Sequence, residues 1–180
     1  PRREIERFVG QGLRHLIQSC LGTEERKSVE KGSRLFRKHY AEHMLDHSLL
    51  YPGVLDFLNH FNERRQWVFT NKPNPFAENM LKALGVAEYF SEIIAGSTDE
   101  PKKPDPSSLL SRMRRDGLQC EESVLIGDSV IDLETGRRAG IRVLLLCQGF
   151  TGRSELEKES GEKVFENFEE LLALAKEEKW

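Results

Sequence analysis

Two aspartates four residues apart, Asp128 and Asp132, follow an apolar run ending in Leu125-Ile126-Gly127, and Ser129 places a hydroxyl beside the first of them. The segment Ser123 to Ile126 has the composition of a buried strand, so it delivers the glycine and the first carboxylate into a turn. The second carboxylate stands where helical spacing begins. In parallel α/β sheets, ligands bind outside the carboxyl ends of strands, where this turn falls. Two carboxylates and a hydroxyl there form an all-oxygen donor set suited to a hard cation, Mg²⁺ above all. The same residues also read as an acidic strand–helix turn in which Asp132 answers the helix dipole.

Two other strand ends carry related chemistry. In Phe69-Thr70-Asn71-Lys72-Pro73 an apolar strand ends in a hydroxyl, an amide and a cation. A hydroxyl with nearby backbone N–H groups can cradle phosphate oxygens. Thr70 and Asn71 serve equally as helix caps ahead of Pro73 or Pro75. In Lys102-Lys103-Pro104-Asp105-Pro106 two prolines restrict the backbone, so Lys103 is held in place. A fixed ammonium can neutralise phosphate charge or restrain repelling carboxylates, and paired lysines in a loop are also ordinary solvated charge.

The elements that must position these residues are legible from periodicity. Residues 1–48 contain no convincing strand: Glu4–Phe8, Leu13–Cys20 and Glu24–Leu45 have helical spacing, with breaks at Gly10-Gln11-Gly12 and Gly22-Thr23. Tyr51-Pro52-Gly53 punctuates the chain, and from residue 49 to 180 the texture alternates. Strands are expected at Trp67–Thr70, Glu92–Ala95, Ser123–Ile126, Arg142–Cys147 and Lys163–Phe165. Helices are expected at Val54–Phe61, Pro75–Leu84, Pro106–Arg115, Asp132–Ala139 and Phe168–Lys176. Short apolar strands alternating with helices imply an α/β fold, a doubly wound parallel sheet covered on both faces. The charged run Glu155–Lys163 reads as a solvated linker.

Composition narrows the function classes. A chain of 180 residues, 38% apolar and 32% charged, is globular and can bury a core. Its net charge of −3 provides no field to recruit nucleic acid or an acidic membrane. The longest apolar stretch, Val143–Cys147, is too short to span a bilayer. Pro1 to Glu4 open no signal-peptide pattern. Three widely spaced cysteines, Cys20, Cys120 and Cys147, suit reduced thiols in a cytoplasmic protein. His39, His43 and His47 recur at helical spacing, but Arg37 and Lys38 beside them favour a solvated face over a metal site. Arg112, Arg114 and Arg115 read as surface charge, and Trp67 and Trp180 as a packing and a fraying residue.

In order and wording, Thr70, Lys103 and the Asp128/Asp132 pair resemble the second, third and fourth motifs of the haloacid dehalogenase superfamily. Val9-Gly10-Gln11-Gly12, Tyr51-Pro52-Gly53-Val54, Thr70-Asn71-Lys72-Pro73, Lys103-Pro104-Asp105-Pro106 and Gly127-Asp128-Ser129 are similar to its phosphoglycolate phosphatase branch. The resemblance implies a Rossmann-like core, residues 49–180, with a helical cap, residues 1–48. It implies an Mg²⁺-dependent phosphatase acting on a small phosphorylated metabolite such as 2-phosphoglycolate, as a monomer or homodimer. By matching position, Thr70 and Asn71 bind phosphate and Lys103 offsets its charge. Asp128 binds the metal, with Ser129 at its edge, while Asp132 acts through water or orients Lys103. Gly12 in the cap faces the substrate, and Lys72 is a surface charge within reach of it.

The family's first motif, an aspartate nucleophile and an acid/base aspartate two residues later, has no counterpart upstream of Thr70. Asp46 and Asp56 are lone, and Asp99-Glu100 follows the wrong strand. By analogy about 35–40 residues, a strand and a cap helix, precede Pro1. That strand belongs in mid-sheet, between Trp67–Thr70 and Ser123–Ile126, and its absence would leave two hydrophobic inner edges unpaired. Without it, the alternative is a catalytically silent module that binds phosphate or metal or plays a structural part. A pyrophosphatase and a phosphosugar mutase are the alternative enzymes on this scaffold.

Overall fold

The computed structural model describes residues 5–97, 100–161 and 163–178. Glu4, Asp99, Glu162 and Trp180, which enter the sequence reading, lie outside them.

Ile5 and Glu6 are helical and lead through a turn to Gly10. Two helices follow, α1 (Leu13–Leu21) and α2 (Arg26–His43). They pack through Leu13, Ile17 and Val29, with Phe36 against them, so residues four apart form the buried stripe. The second helix starts two residues later than expected. Glu25 holds the N-cap position, and its backbone N–H donates to Thr23 Oγ1 at 3.2 Å. His47 falls beyond the end of α2 in a turn, so the three histidines do not share one helix. Among the described residues, no strand occurs in the first 48.

Beyond Gly53 the chain alternates: α3 (Val54–His60), β1 (Trp67–Pro73), α4 (Phe76–Ala83), β2 (Glu92–Gly96) and α5 (Ser107–Arg115). Then come β3 (Val124–Gly127), α6 (Val130–Ala139), β4 (Arg142–Leu146), α7 (Arg153–Ser160), β5 (Val164–Phe165) and α8 (Phe168–Glu178). All strand pairs are parallel. β1 pairs with β2, and β4 lies between β3 and β5. Among the described residues no ladder joins β1 to β3. The core follows the same partition. Ile94, Leu109, Met113 and Ile141 fill one cluster, Phe57, Leu144, Leu146, Phe165 and Leu171 a second, and Leu133, Leu145, Leu156 and Val164 a third.

The expected linker at Glu155–Lys163 is wrong over most of its length, because α7 occupies Arg153–Ser160. A single apolar residue decides it. Leu156 is fully buried, while Gly161 ends the helix in the left-handed conformation and Arg153 pairs with Glu157 one turn on at 2.9 Å. Arg112 and Arg115 are also more engaged than surface charge implies. Arg112 pairs with Glu92 at 2.9 Å and Glu100 at 3.0 Å, and Arg115 pairs with Glu92 and Asp116.

Candidate active site

The turn from β3 into α6 is built by close approach. A Cβ on Gly127 would lie 2.2 Å from Cβ of Asp132, so only glycine lets the second carboxylate fold back over the strand end. Asp132 is 4% exposed, and both its oxygens are engaged. Oδ2 accepts from the Ser129 hydroxyl at 2.5 Å and from the Asp128 backbone N–H at 3.2 Å. Oδ1 accepts from Lys103 Nζ at 2.6 Å. Ser129 is the N-cap of α6, its hydroxyl oxygen accepting from the Asp132 N–H at 3.3 Å. Its hydroxyl thus serves both ends of the turn.

Lys103 reaches this pair from the loop between β2 and α5. The Lys103 side chain is 14% exposed and that of Asp132 6%, so solvent screens the ion pair little. The ammonium also lies 5.7 Å from the ring centroid of Phe69, which ties it to the end of β1. The loop itself is fixed by Asn71. The register of β1 with β2 shifts between Thr70 and Pro73, freeing Asn71 from regular pairing. Its buried amide donates to the carbonyls of Gly10 at 2.8 Å and Lys103 at 2.9 Å, and its Oδ1 accepts from the Lys103 N–H at 2.9 Å. That uses the oxygen once and both N–H bonds. Asn71 therefore clamps two loops, and its side chain is not left open for a phosphate. Thr70 Oγ1 accepts from the Lys72 N–H at 3.1 Å, which leaves the hydroxyl proton to donate.

Asp128 is the carboxylate open to solvent. The protein packed around it, then the like charge of Asp132, push its carboxyl above the ordinary carboxylate range, against the opposing pull of Lys103. The loop after β4 closes on it: a Cβ on Gly149 would lie 2.1 Å from Asp128 Oδ2. Sequence reading missed Gly149. The available signal was a glycine just beyond a strand on the same sheet edge as Asp128. Among the described residues no group of three His, Cys, Asp or Glu side chains is placed to hold a metal. One accessible carboxylate of raised proton affinity beside a committed one fits Mg²⁺, which keeps several waters and takes few protein oxygens alongside substrate phosphate.

Gly10, Gly12 and Tyr40 bring the N-terminal helices to this edge. Gly10 supplies a carbonyl to Asn71, and a Cβ on Gly12 would lie 3.4 Å from Lys102 Nζ. Lys72 is partly buried rather than a free surface charge, its ammonium donating to the Tyr40 hydroxyl on α2. Thr70, Asn71, Lys103, Asp128, Ser129 and Asp132 thus converge on the carboxyl ends of β1 and β3, with Gly12 against the adjoining loops.

The family model for haloacid dehalogenase-like hydrolase matches residues 1–146. The chain belongs to this family. Phosphoglycolate phosphatase 1 of Pseudomonas aeruginosa is 31% identical over 96% of the chain and 66% of its own length. A phosphoglycolate phosphatase of Chromobacterium violaceum is 33% identical over 87% of the chain and 73% of its own length. These relatives put the chain in the phosphoglycolate phosphatase-like branch of the haloacid dehalogenase-like hydrolases. The crystal structure of a predicted phosphoglycolate phosphatase from Haemophilus somnus superposes with a TM-score of 0.88 at 23% identity, covering 97% of this chain and 82% of that one. That likeness establishes the fold. No helix among the described residues is long and apolar enough to cross a membrane.

Proposed function

We propose that this protein is an Mg²⁺-dependent phosphomonoester hydrolase of the cytoplasm, acting on a small phosphorylated acid such as 2-phosphoglycolate, with residues 1–48 as its cap. The observation that carries this reading is the meeting of the Thr70 hydroxyl, the Lys103–Asp132 pair and the open Asp128 carboxylate on one sheet edge.

Thr70 donates its hydroxyl to a non-bridging phosphate oxygen. Lys103, held by Asp132 and by the Asn71 clamp, offsets charge that builds on the transferring phosphoryl group. Asp128 would hold Mg²⁺, which when bound neutralises further phosphate charge. Asp132, with both oxygens committed, acts on Lys103 rather than as a direct ligand. None of these groups is a free nucleophile. Among the described residues no ladder joins β1 to β3; a further parallel strand seated between them would carry at its carboxyl end a carboxylate that attacks phosphorus to give an aspartyl-phosphate. A second acid two residues along would lie on the same face and protonate the leaving alcohol.

The test is hydrolysis of p-nitrophenyl phosphate by the full-length protein, with and without Mg²⁺. Asp128→Asn is expected to lose the Mg²⁺-dependent rate by about 100-fold or more, the scale for losing one group that stabilises transition-state charge. Hydrolysis that survives Asp128→Asn would remove the metal assignment. Hydrolysis untouched by Lys103→Ala would remove the phosphate site.

A further inference from the structure

Lys72 follows Thr70 by two residues on β1, and no carboxylate among the described residues neutralises it. Its backbone N–H donates to Thr70 Oγ1, so it is next to the proposed phosphate seat. Its ammonium donates to the Tyr40 hydroxyl and stands 4.7 Å from the Tyr40 ring centroid. A hydroxyl and a π face hold a cation without cancelling it. Among the described residues no carboxylate pairs with Lys72, whereas Lys103 is paired with Asp132.

A partly buried ammonium without a counter-charge carries a desolvation cost that an arriving anion can recover. Its position is also restrained from the cap side. The Tyr40 ring stacks on Phe36 and meets Phe76 edge-on, each at 5.2 Å between centroids, so the hydroxyl that grips Lys72 is itself fixed. Two donor hydrogens of the ammonium remain beyond the one given to Tyr40. Lys102 is the competing cation. It lies near Gly12, but no hydrogen bond among the described residues pins its ammonium.

We infer that Lys72, preset by Tyr40, is the residue that selects phosphate monoesters carrying a second anionic group close to the phosphate. The inference rests on the proposed phosphate site, and its experiment separates the two. Calorimetric titration compares 2-phosphoglycolate with ethyl phosphate, which has no carboxylate, and the readout is the ratio of the two affinities. The protein is expected to prefer 2-phosphoglycolate by 10-fold or more, a usual scale for a charge-assisted hydrogen bond. Lys72→Gln is expected to bring that ratio near one, Lys72→Arg to restore most of it, Tyr40→Phe to reduce it, and Lys102→Gln to keep it. Because a ratio is read, a general loss of affinity does not mimic the effect, and thermal melts identify any variant that fails to fold.

A preference that survives Lys72→Gln, or that falls with Lys102→Gln instead, overturns the assignment. So does equal affinity for the two ligands in the unmodified protein. Binding of neither ligand, or binding indifferent to Lys103→Ala, overturns the underlying phosphate site and this inference with it.

Discussion

Asn71 has leverage on this site without touching a reacting group, because one side chain holds two loops. Replacing it with alanine leaves the carbonyls of Gly10 and Lys103 and the N–H of Lys103 without their partner. Each unsatisfied group costs about 1–3 kcal/mol where water cannot reach it, so Asn71→Ala is expected to lose at least 2 kcal/mol in urea denaturation. It is expected to weaken phosphate binding as well, because the Lys103 loop loses its anchor. A loss of stability with unchanged phosphate affinity would detach the clamp from the site.

Asp128 behaves in the opposite sense. Its carboxyl is raised in the folded state, so between the unfolded and folded values the native protein binds more protons than the unfolded chain. Stability therefore falls as pH rises through that window, and the penalty is fully present above it. Asp128→Asn is expected to stabilise the metal-free protein modestly at pH 7, because water at this exposed carboxylate screens much of the penalty. In chelator, the advantage should shrink as pH falls toward the ordinary carboxylate range. An Asn variant less stable than its parent at pH 7 would contradict the sign.

Among the elements, α7 shows where apolar spacing alone stops informing. Its sequence, Arg153–Ser160, is polar or charged except for Leu156, so no stripe marks it as a helix, yet that leucine is sealed beneath Leu133, Leu145 and Val164. Leu156→Ala is expected to cost about 2–5 kcal/mol by equilibrium denaturation, with the β3–α6 turn left in place. A loss under 1 kcal/mol would mean that the helix is held by its surface ion pairs instead. The other core strands were legible because each is a short apolar run next to a helical period, and their ends moved by three residues at most. Of the candidate site, Thr70, Lys103, Asp128 and Asp132 could be picked out from local sequence, standing in β1, the β2–α5 loop, the β3–α6 turn and the first turn of α6. The roles of Asn71 and Lys72 could not. They arise from bonds to Gly10, Lys103 and Tyr40, separated by 61, 32 and 32 residues, and no local pattern encodes such pairings.

At the scale of the whole molecule, the parallel sheet is interrupted where the site lies. β4 has a partner on each side, whereas β1 and β3 each have one, and their remaining edges face no described strand. Backbone groups on such edges must be satisfied by water or by another strand. Amide exchange follows local opening and the hydrogen bonds lost in it. In the 180-residue chain, the amides of Arg142–Leu146 are expected to exchange most slowly among the strands. Amides of Trp67–Pro73 and Val124–Gly127 that are not in ladders with β2 or β4 are expected to exchange at least 10-fold faster. In a longer polypeptide that seats a strand between them, those same amides should become as protected as β4. That protection and Mg²⁺-dependent hydrolysis should appear together, because one strand would close the sheet and carry the attacking carboxylate. Equal protection of β1, β3 and β4 in the 180-residue chain would mean that the two edges are already satisfied, leaving no slot for that carboxylate.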